Sequence, residues 1–243
     1  MKQSTFAIVL IVAAFASAVV IFYFLLPDFI TAGGPLVIAL IALSIMVFTY
    51  IVERILTLNK AKGRGSLPMF LKNVQKNLSA GDVDAAMAAC DQQHGSLANI
   101  IRSGLERYKV LTQESRGLQA EKQMAEIQRA IEEATSLETP LLERNLIALS
   151  TIASIATMFG LLGTVIGMIR AFTALAAAGG APDAIQLSIG ISEALINTAL
   201  GLLAAIIGIV AYNFFVTKVD NFTYMIDEAS YNVVQILHTK TLD

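Results

Sequence analysis

The sequence predicts an all-α integral membrane protein, and three observations support this. Only 15% of the 243 residues are charged, against about 25% in soluble proteins. Four apolar stretches approach or exceed the ~20 residues that a membrane-spanning helix needs. Strand-like alternation of any useful length is absent from the sequence. The four stretches are 6–26, 36–52, 145–169 and 184–217, and a single charged residue, Glu193, interrupts the last of them.

The first stretch has two interpretations. Lys2, the apolar run and Ala16-Ser17-Ala18 fit a cleaved signal peptide. The run continues to Leu26, however, which is longer than the apolar region of a signal peptide needs to be. We therefore favour a retained extra transmembrane helix within residues 1–33.

Basic residues indicate the orientation in the membrane. Six of them follow the second stretch, where Glu53 is the one acid: Arg54, Lys60, Lys62, Arg64, Lys72 and Lys76. Loops rich in lysine and arginine remain in the cytoplasm, so this side and the C-terminus are predicted to be cytoplasmic. The predicted segments are an N-terminal apolar segment (1–33), a transmembrane helix (34–53), a cytoplasmic helical domain (54–144), a pore helix (145–172), a periplasmic loop (173–185), a second pore helix (186–217) and a cytoplasmic C-terminal helix (218–243).

The cytoplasmic domain reads as a set of helices. In SAGDVDAAMAAC, Ser79 or Asp82 is expected to cap a short helix in which Cys90 is a buried thiol. Residues 115–143 are patterned as a helix, with Pro140 late in it, that forms a stalk running into the third span. The GRGS run at Gly63 is interpreted as a flexible linker.

Two seams of small residues run along the last two spans. On each seam the residues recur every three or four positions, which places them on one helix face. The seams are Ser150, Ala153, Thr157, Gly160, Thr164, Gly167 and Ala171, and then Gly190, Glu193, Asn197, Gly201, Ala204, Gly208 and Ala211. Such faces commonly pack helices closely together, and Gly163 with Gly167 adds a GxxxG match.

Polar side chains on these seams support a second interpretation, a path for ions. Glu193 and Asn197 must face protein or water rather than lipid. Glu193 is either a hydrogen-bonding group between helices or part of an ion-conducting or proton-handling surface. Arg170, near the outer boundary, is the one basic residue in these spans that could neutralise it. Thr198 stands beside Asn197, somewhat off the seam.

Other chemistry has no support in the sequence. GRGS lacks the lysine and spacing of a phosphate loop, and neither an HExxH motif nor a paired His/Cys set occurs. We therefore predict no cofactor, no metal and no enzyme activity. A net charge of −2 without a basic, aromatic-rich cluster argues against nucleic-acid binding.

Two runs carry a family resemblance. ASIATMFGLLGTVIGMIRAF and GISEALINTALGLLAAIIGIVAYNFF resemble the third- and fourth-span signatures of the ExbB/TolQ/MotA proton-channel family. ERILTL, GDVDAAMAAC and LANIIRSGLERY are further similar, so the resemblance extends over roughly residues 36–215. The chain departs from many relatives in having Thr157 and Ile207 where they have prolines, and in its extra apolar segment.

The resemblance implies a function that the residue pattern alone does not. It implies a pentamer in the bacterial inner membrane around a dimer of ExbD-like single-span proteins, with a proton path that uses an aspartate of the partner. Motion of the inner dimer would drive a TonB-like transducer for outer-membrane transport. By motif, Thr164, Glu193 and Thr198 would face the pore, and Thr157 and Asn197 are weaker additions. Between ExbB and TolQ the sequence decides little, although EALINTALGLLAAI in the fourth span leans towards ExbB. A TolQ-type role in envelope maintenance and a non-conducting membrane scaffold are the alternatives.

Overall fold

The computed structural model describes residues 3–114, 120–177 and 184–242, and within these ranges every regular element is a helix. The helices are α1 (Gln3–Phe24), α2 (Asp28–Thr31), α3 (Leu36–Lys62), α4 (Leu67–Ser79), α5 (Val83–Gln93), α6 (Ser96–Glu114), α7 (Ala120–Glu143), α8 (Leu146–Ala177) and α9 (Ala184–Leu242). The predicted all-α class is confirmed. The chain divides into two compact units, residues 1–53 with 145–215, and residues 54–144 with 216–243.

The first unit contains the apolar helices. In the described ranges, three helical stretches are long and apolar enough to cross a membrane, and α3, α8 and the first half of α9 supply their apolar parts. Large apolar side chains on α8 and α9 are more than half exposed: Met158, Leu161, Val165, Ile169, Leu195, Leu203, Ile206 and Val210. Apolar side chains in this number are stable on a surface only against lipid or another protein.

Helix α1 packs against α3 through alanines. Ala14 and Ala18, one turn apart on α1, form a buried cluster with Ala42 of α3. Ile38 and Ile45 pack against this cluster. Small side chains at such a contact allow two helices to approach closely in lipid. The N-terminal segment is thus a helix within the first unit, and its retention and its crossing of the membrane stay predictions.

Several helix boundaries differ from the predicted segments. Helix α8 continues to Ala177, and residues 178–183 of the predicted loop lie outside the described part of the chain. The second pore helix and the C-terminal helix belong to one element, α9. The predicted stalk is interrupted between α7 and α8, where Asn145 has φ +64°. A left-handed residue cannot continue an α-helix, and asparagine adopts this conformation more readily than most residues.

The second unit is a bundle of amphipathic helices. On α4, Phe70, Val74 and Leu78 recur every four residues and are buried. The core of this unit continues along α6 and α7 with Leu97, Ile100, Ile101, Leu105, Ile127 and Ile131. Of the two predicted caps of α5, Asp82 is the N-cap: its side chain accepts a hydrogen bond of 2.8 Å from the backbone N–H of Ala85. Ser79 instead ends α4.

The GRGS run is a packed turn, so its interpretation as a flexible linker is wrong. Gly63 has φ +77°, and a Cβ placed on it would lie 2.2 Å from the carbonyl oxygen of His94. The N–H of Arg64 donates a hydrogen bond of 2.7 Å to the carbonyl of Gln93. Glycine is required here because the chain needs both a left-handed conformation and close backbone contact.

Cys90 is buried, as the sequence predicted. Its side chain is 2% exposed, and this burial, with a smaller contribution from Asp91, raises the pKa of the thiol to about 12. A thiol with so high a pKa forms little of the reactive thiolate near neutral pH. Its role is therefore to fill the core of the second unit.

Candidate functional site

The two small-residue seams of α8 and α9 face each other. A Cβ placed on Gly167 would lie 2.7 Å from both the carbonyl oxygen of Gly190 and the backbone nitrogen of Ala194. A Cβ placed on Gly201 would lie 2.7 Å from the Cα of Gly160. No side chain fits between backbones this close. The glycines of the seams therefore allow close helix packing, which was the first interpretation of the seams.

Thr164 and Thr198 meet inside this packed interface. Their hydroxyl oxygens are in direct contact, and either one can be the donor. The hydroxyl of Thr198 also lies 3.2 Å from the carbonyl oxygen of Gly160 and 3.0 Å from that of Ala194. Thr164 lies 3.4 Å from the same Gly160 carbonyl. A hydroxyl has one hydrogen to donate, so the two side chains and the shared carbonyl can form a hydrogen-bonded chain with more than one arrangement.

Glu193 forms an ion pair with Arg170 across the same two helices. Nη1 of Arg170 donates to Oε1 of Glu193 at 2.5 Å. The glutamate side chain is 7% exposed and the arginine side chain is 55% exposed. A charge-assisted hydrogen bond of this kind is about twice as strong as a neutral one. The structure thus brings Glu193 together with the one basic residue that the sequence offered as its partner.

Asn197 links α9 to the turn that precedes α3. Its Nδ2 donates a hydrogen bond of 2.8 Å to the carbonyl of Gly33, and the residue is 1% exposed. Its Oδ1 is buried without a hydrogen-bond partner in the described part of the chain. A buried acceptor left unpaired costs about 1–3 kcal/mol. Asn197 therefore has a structural tether at one end of its amide and an open acceptor at the other.

Sequence reasoning missed the Gly33–Gly34 turn. Gly34 has φ +75°, and a Cβ placed on it would lie 2.7 Å from Oε1 of Glu193 and 3.6 Å from Nη1 of Arg170. The turn therefore forms one wall of the Glu193 site. The signal in the sequence was AGGP, whose glycines and proline predict a tight turn. No local pattern could have predicted that this turn packs against residues about 160 positions later.

Thr157 stands apart from the other predicted residues. Its hydroxyl donates a hydrogen bond of 3.3 Å to the carbonyl of Ala153 in its own helix, which is how a threonine hydroxyl finds a partner in an apolar environment.

The site consists of two hydroxyls, one amide, one carboxylate and one guanidinium. In the described ranges, no group of three His, Cys, Asp or Glu side chains could hold a metal ion.

Comparisons with known proteins agree with these motifs. A model of the MotA/TolQ/ExbB proton channel family matches residues 92–228, more than half of the chain. The Tol-Pal system protein TolQ of Pseudomonas aeruginosa is 40% identical over 116 residues, which is 48% of this chain and 49% of that protein. A protein of Methanothermobacter thermautotrophicus, named a biopolymer transport protein ExbB homolog, is 28% identical over 207 residues, 85% of this chain and 68% of that protein. The biopolymer transport protein ExbB of Xanthomonas campestris pv. campestris is 37% identical over 106 residues, 40% of this chain and 41% of that protein. The chain thus spans half or less of the first and third of these relatives.

Proposed function

Because the chain belongs to the MotA/TolQ/ExbB proton channel family, we propose that it is the channel-forming stator subunit of an ExbB–ExbD type motor. In this role it converts the proton motive force across the bacterial inner membrane into mechanical work for TonB-dependent outer-membrane transport. The observation that carries the proposal is the hydroxyl contact between Thr164 and Thr198, close to Glu193, in an otherwise apolar pair of helices. The family is one of channels rather than enzymes.

The hydroxyl pair has the chemistry that a proton path needs. The two threonines can exchange the roles of donor and acceptor, since either can donate to the other. Glu193 lies five residues before Thr198 on α9, about 7.5 Å along the helix axis. A proton that moves through a membrane potential of 100 mV releases about 2.3 kcal/mol. Several protons would then supply the work of one mechanical step.

The proposed partner is a dimer of ExbD-like single-span proteins that contributes an aspartate to the path. An apolar groove on the surface of α8 is consistent with a partner helix beside the threonines, since it is lined by Thr164, Val165, Met168, Ile169, Phe172, Thr173 and Ala176. The proposed assembly is a pentamer that also acts on a TonB-like transducer. In it, residues 145–172 and 186–217 are pore helices, 173–185 is a periplasmic loop, and 34–53 and the N-terminal segment 1–33 cross the membrane. Residues 54–144 and 218–243, including the C-terminus, are cytoplasmic, as the basic residues after Val52 suggest.

Two alternatives have specific support. The match to TolQ of Pseudomonas aeruginosa favours a TolQ-type role in envelope maintenance. The tight glycine contacts between α8 and α9 favour a non-conducting scaffold, in which the seams serve only to pack helices. The scaffold differs from the motor subunit in one measurable property, which is proton flux.

The test is proton uptake by the reconstituted complex. The chain is expressed with the single-span partner, placed in vesicles, and followed with a pH dye under a potassium-diffusion potential. We expect Thr164→Val and Glu193→Gln each to lower the flux by roughly 10-fold or more, because each removes a group of the proposed path that can hand on a proton; a factor of ten corresponds to about 1.4 kcal/mol. Thr151→Val is the matched control, since the Thr151 hydroxyl is exposed and bonds only within its own helix in the described contacts. The chain without its partner should leak little.

Each outcome separates the candidate functions. If the complex assembles but carries no flux with any single-span partner, the scaffold interpretation replaces the proposal. If flux appears and neither Thr164→Val nor Glu193→Gln changes it, the channel function stands but the assigned path is wrong. A complex that energises envelope maintenance and not TonB-dependent uptake identifies the TolQ-type role.

A further inference from the structure

The carboxyl group of Glu193 lies beside a second polar group that the ion pair does not use. Glu193 and Asn197 are four residues apart on α9, so their side chains are neighbours on one helix face. Both reach the same turn: Oε1 of Glu193 borders Gly34, and Nδ2 of Asn197 bonds to the carbonyl of Gly33. The carboxyl group and the amide therefore both border residues 33–34.

The orientation of the Asn197 amide follows from its surroundings. The Gly33 carbonyl can only accept a hydrogen bond, so it must face the NH₂ end of the amide, which leaves Oδ1 as the unpartnered end. The side chain is also packed against α8, because a Cβ placed on Gly163 would lie 2.2 Å from the Cβ of Asn197 and 2.8 Å from its Cγ. An ionised carboxylate cannot form a hydrogen bond with this fixed, buried acceptor, because a carboxylate also only accepts. The acceptor suits a neutral carboxylic acid, which has one O–H to donate.

We propose that Asn197 Oδ1 is the acceptor for the protonated form of Glu193, so that the carboxyl group has two alternative partners. In the ionised form, Glu193 is paired with Arg170. When a proton binds to the carboxylate, the ion pair opens and the new O–H donates to Asn197 Oδ1. When the proton leaves, the carboxylate returns to Arg170. This proposal rests on the proposed function, since it assigns Glu193 and Asn197 a step in handling the transported proton.

The other groups around Glu193 are consistent with this exchange. Arg170 is the one charged side chain on α8, and the part of α3 within this unit carries a charge only at its last residue, Glu53. Asp28 on α2 is exposed. The guanidinium is 55% exposed, so water can solvate it when the carboxyl group leaves it. Asn197 is therefore a positioning residue, and its effect should be visible in the state of Glu193.

Infrared difference spectroscopy of the full-length chain in lipid vesicles tests the proposal. The carbonyl stretch of a neutral carboxylic acid is compared at a series of pH values in the parent protein and in Glu193→Gln. We expect a band that Glu193→Gln abolishes, and a shift of this band to higher wavenumber in Asn197→Ala and Asn197→Leu, because the hydrogen bond to Oδ1 is lost. Arg170→Gln should increase the area of the band, since it removes the ionised partner. Thr151→Val should leave the band unchanged.

The outcomes distinguish this proposal from the proposed function. Circular dichroism establishes that each variant is folded, and the two replacements at Asn197 differ in volume, so a packing defect would not move the band alike in both. Absence of a band that depends on Glu193 at every pH at which the protein is folded would overturn the proposal. So would a band that neither replacement at Asn197 shifts, because the acceptor would then be water. If the band shifts as expected but the complex carries no proton flux, the two-partner carboxyl group stands and the motor function fails.

Discussion

Replacing Gly167 by alanine tests whether the backbones of α8 and α9 touch as closely as the structure has them. The added methyl would lie 2.7 Å from the carbonyl oxygen of Gly190, 2.7 Å from the backbone nitrogen of Ala194 and 2.9 Å from its Cα. All three atoms belong to the backbone of α9, so no flexible side chain can move aside. The helices must separate or bend to accept the methyl.

The size of the effect follows from these distances. Ordinary contact begins near 3.4 Å, so the helices must separate locally by about 0.7 Å. A gap of 0.5–1 Å forfeits a quarter to a half of the dispersion energy of each contact, and overpacking typically costs about 1–3 kcal/mol. For a chain of this length, 1 kcal/mol corresponds to about 2–4 °C in Tm, so a loss of about 2 kcal/mol lowers Tm by about 4–8 °C.

The assay is thermal unfolding in detergent at one fixed scan rate, followed by circular dichroism because the chain contains no tryptophan. A fixed rate matters since membrane proteins often unfold irreversibly, and the apparent Tm then depends on the scan. Val210→Ile is the matched control, because it also adds one methyl but on a side chain of α9 that is 64% exposed. If Gly167→Ala unfolds at the same temperature as Val210→Ile, the two seams are not in backbone contact.

Three further predictions concern single side chains. Thr164→Val and Thr198→Val should each lower proton flux. The flux of the double variant should be no lower than that of the more impaired single variant, because the two hydroxyls form one hydrogen-bonded chain. Cys90 should react with a thiol reagent far more slowly in the folded chain than after unfolding. Since burial raises its pKa from 9.0 to about 12, the stabilisation that its neutral form provides is complete below pH 9 and declines as the pH rises towards 12. Asp82→Ala should lower the free energy of unfolding by about 1 kcal/mol through loss of the α5 cap, whereas Asp84→Ala should cost less.

Each of these three has an outcome that contradicts it. Strictly additive effects of the two threonine variants on flux would mean that the hydroxyls act separately. Rapid labelling of Cys90 in the folded chain would show that the thiol is accessible. Equal destabilisation by Asp82→Ala and Asp84→Ala would assign the effect to charge at the start of α5 rather than to the cap, since Asp84 forms an exposed pair with Lys109.

The fold was predictable because it depends on local patterns. Long apolar runs give membrane helices, period-four apolar positions such as Phe70, Val74 and Leu78 give the packed face of α4, and Asp82 marks the start of α5. The positions at which helices are interrupted were harder to predict from the sequence. Asn145 leaves the helix although its neighbours are good helix formers, and Gly63 forms a packed turn because of its contact with His94, which is distant in sequence.

The site was predictable only as a set of residue types. Helical spacing placed Thr164 on one seam and Glu193 on the other, and the absence of other bases made Arg170 the one available partner. The contact between Thr164 and Thr198 requires the rotation of two helices about their axes, which sequence spacing does not give. The approach of the Gly33–Gly34 turn depends on tertiary packing alone, so the wall of the Glu193 site had no local signal.

Close packing and a polar path first present themselves as competing explanations of the seams, yet the structure makes one depend on the other. Threonine side chains are short, so the hydroxyls of Thr164 and Thr198 can touch only if the backbones of α8 and α9 are in near contact. Gly160 provides that contact, because the position facing Gly201 carries no side chain, and its carbonyl also accepts from Thr198. A substitution that widens the interface should therefore break the hydroxyl contact before it unfolds the helices. In Gly160→Ala the added Cβ would lie 3.2 Å from the Cα of Gly201. Relative to Val210→Ile, this variant should lose a larger fraction of its proton flux than of its folded protein. Loss of flux only in proportion to loss of folded protein would show that the glycines serve packing alone.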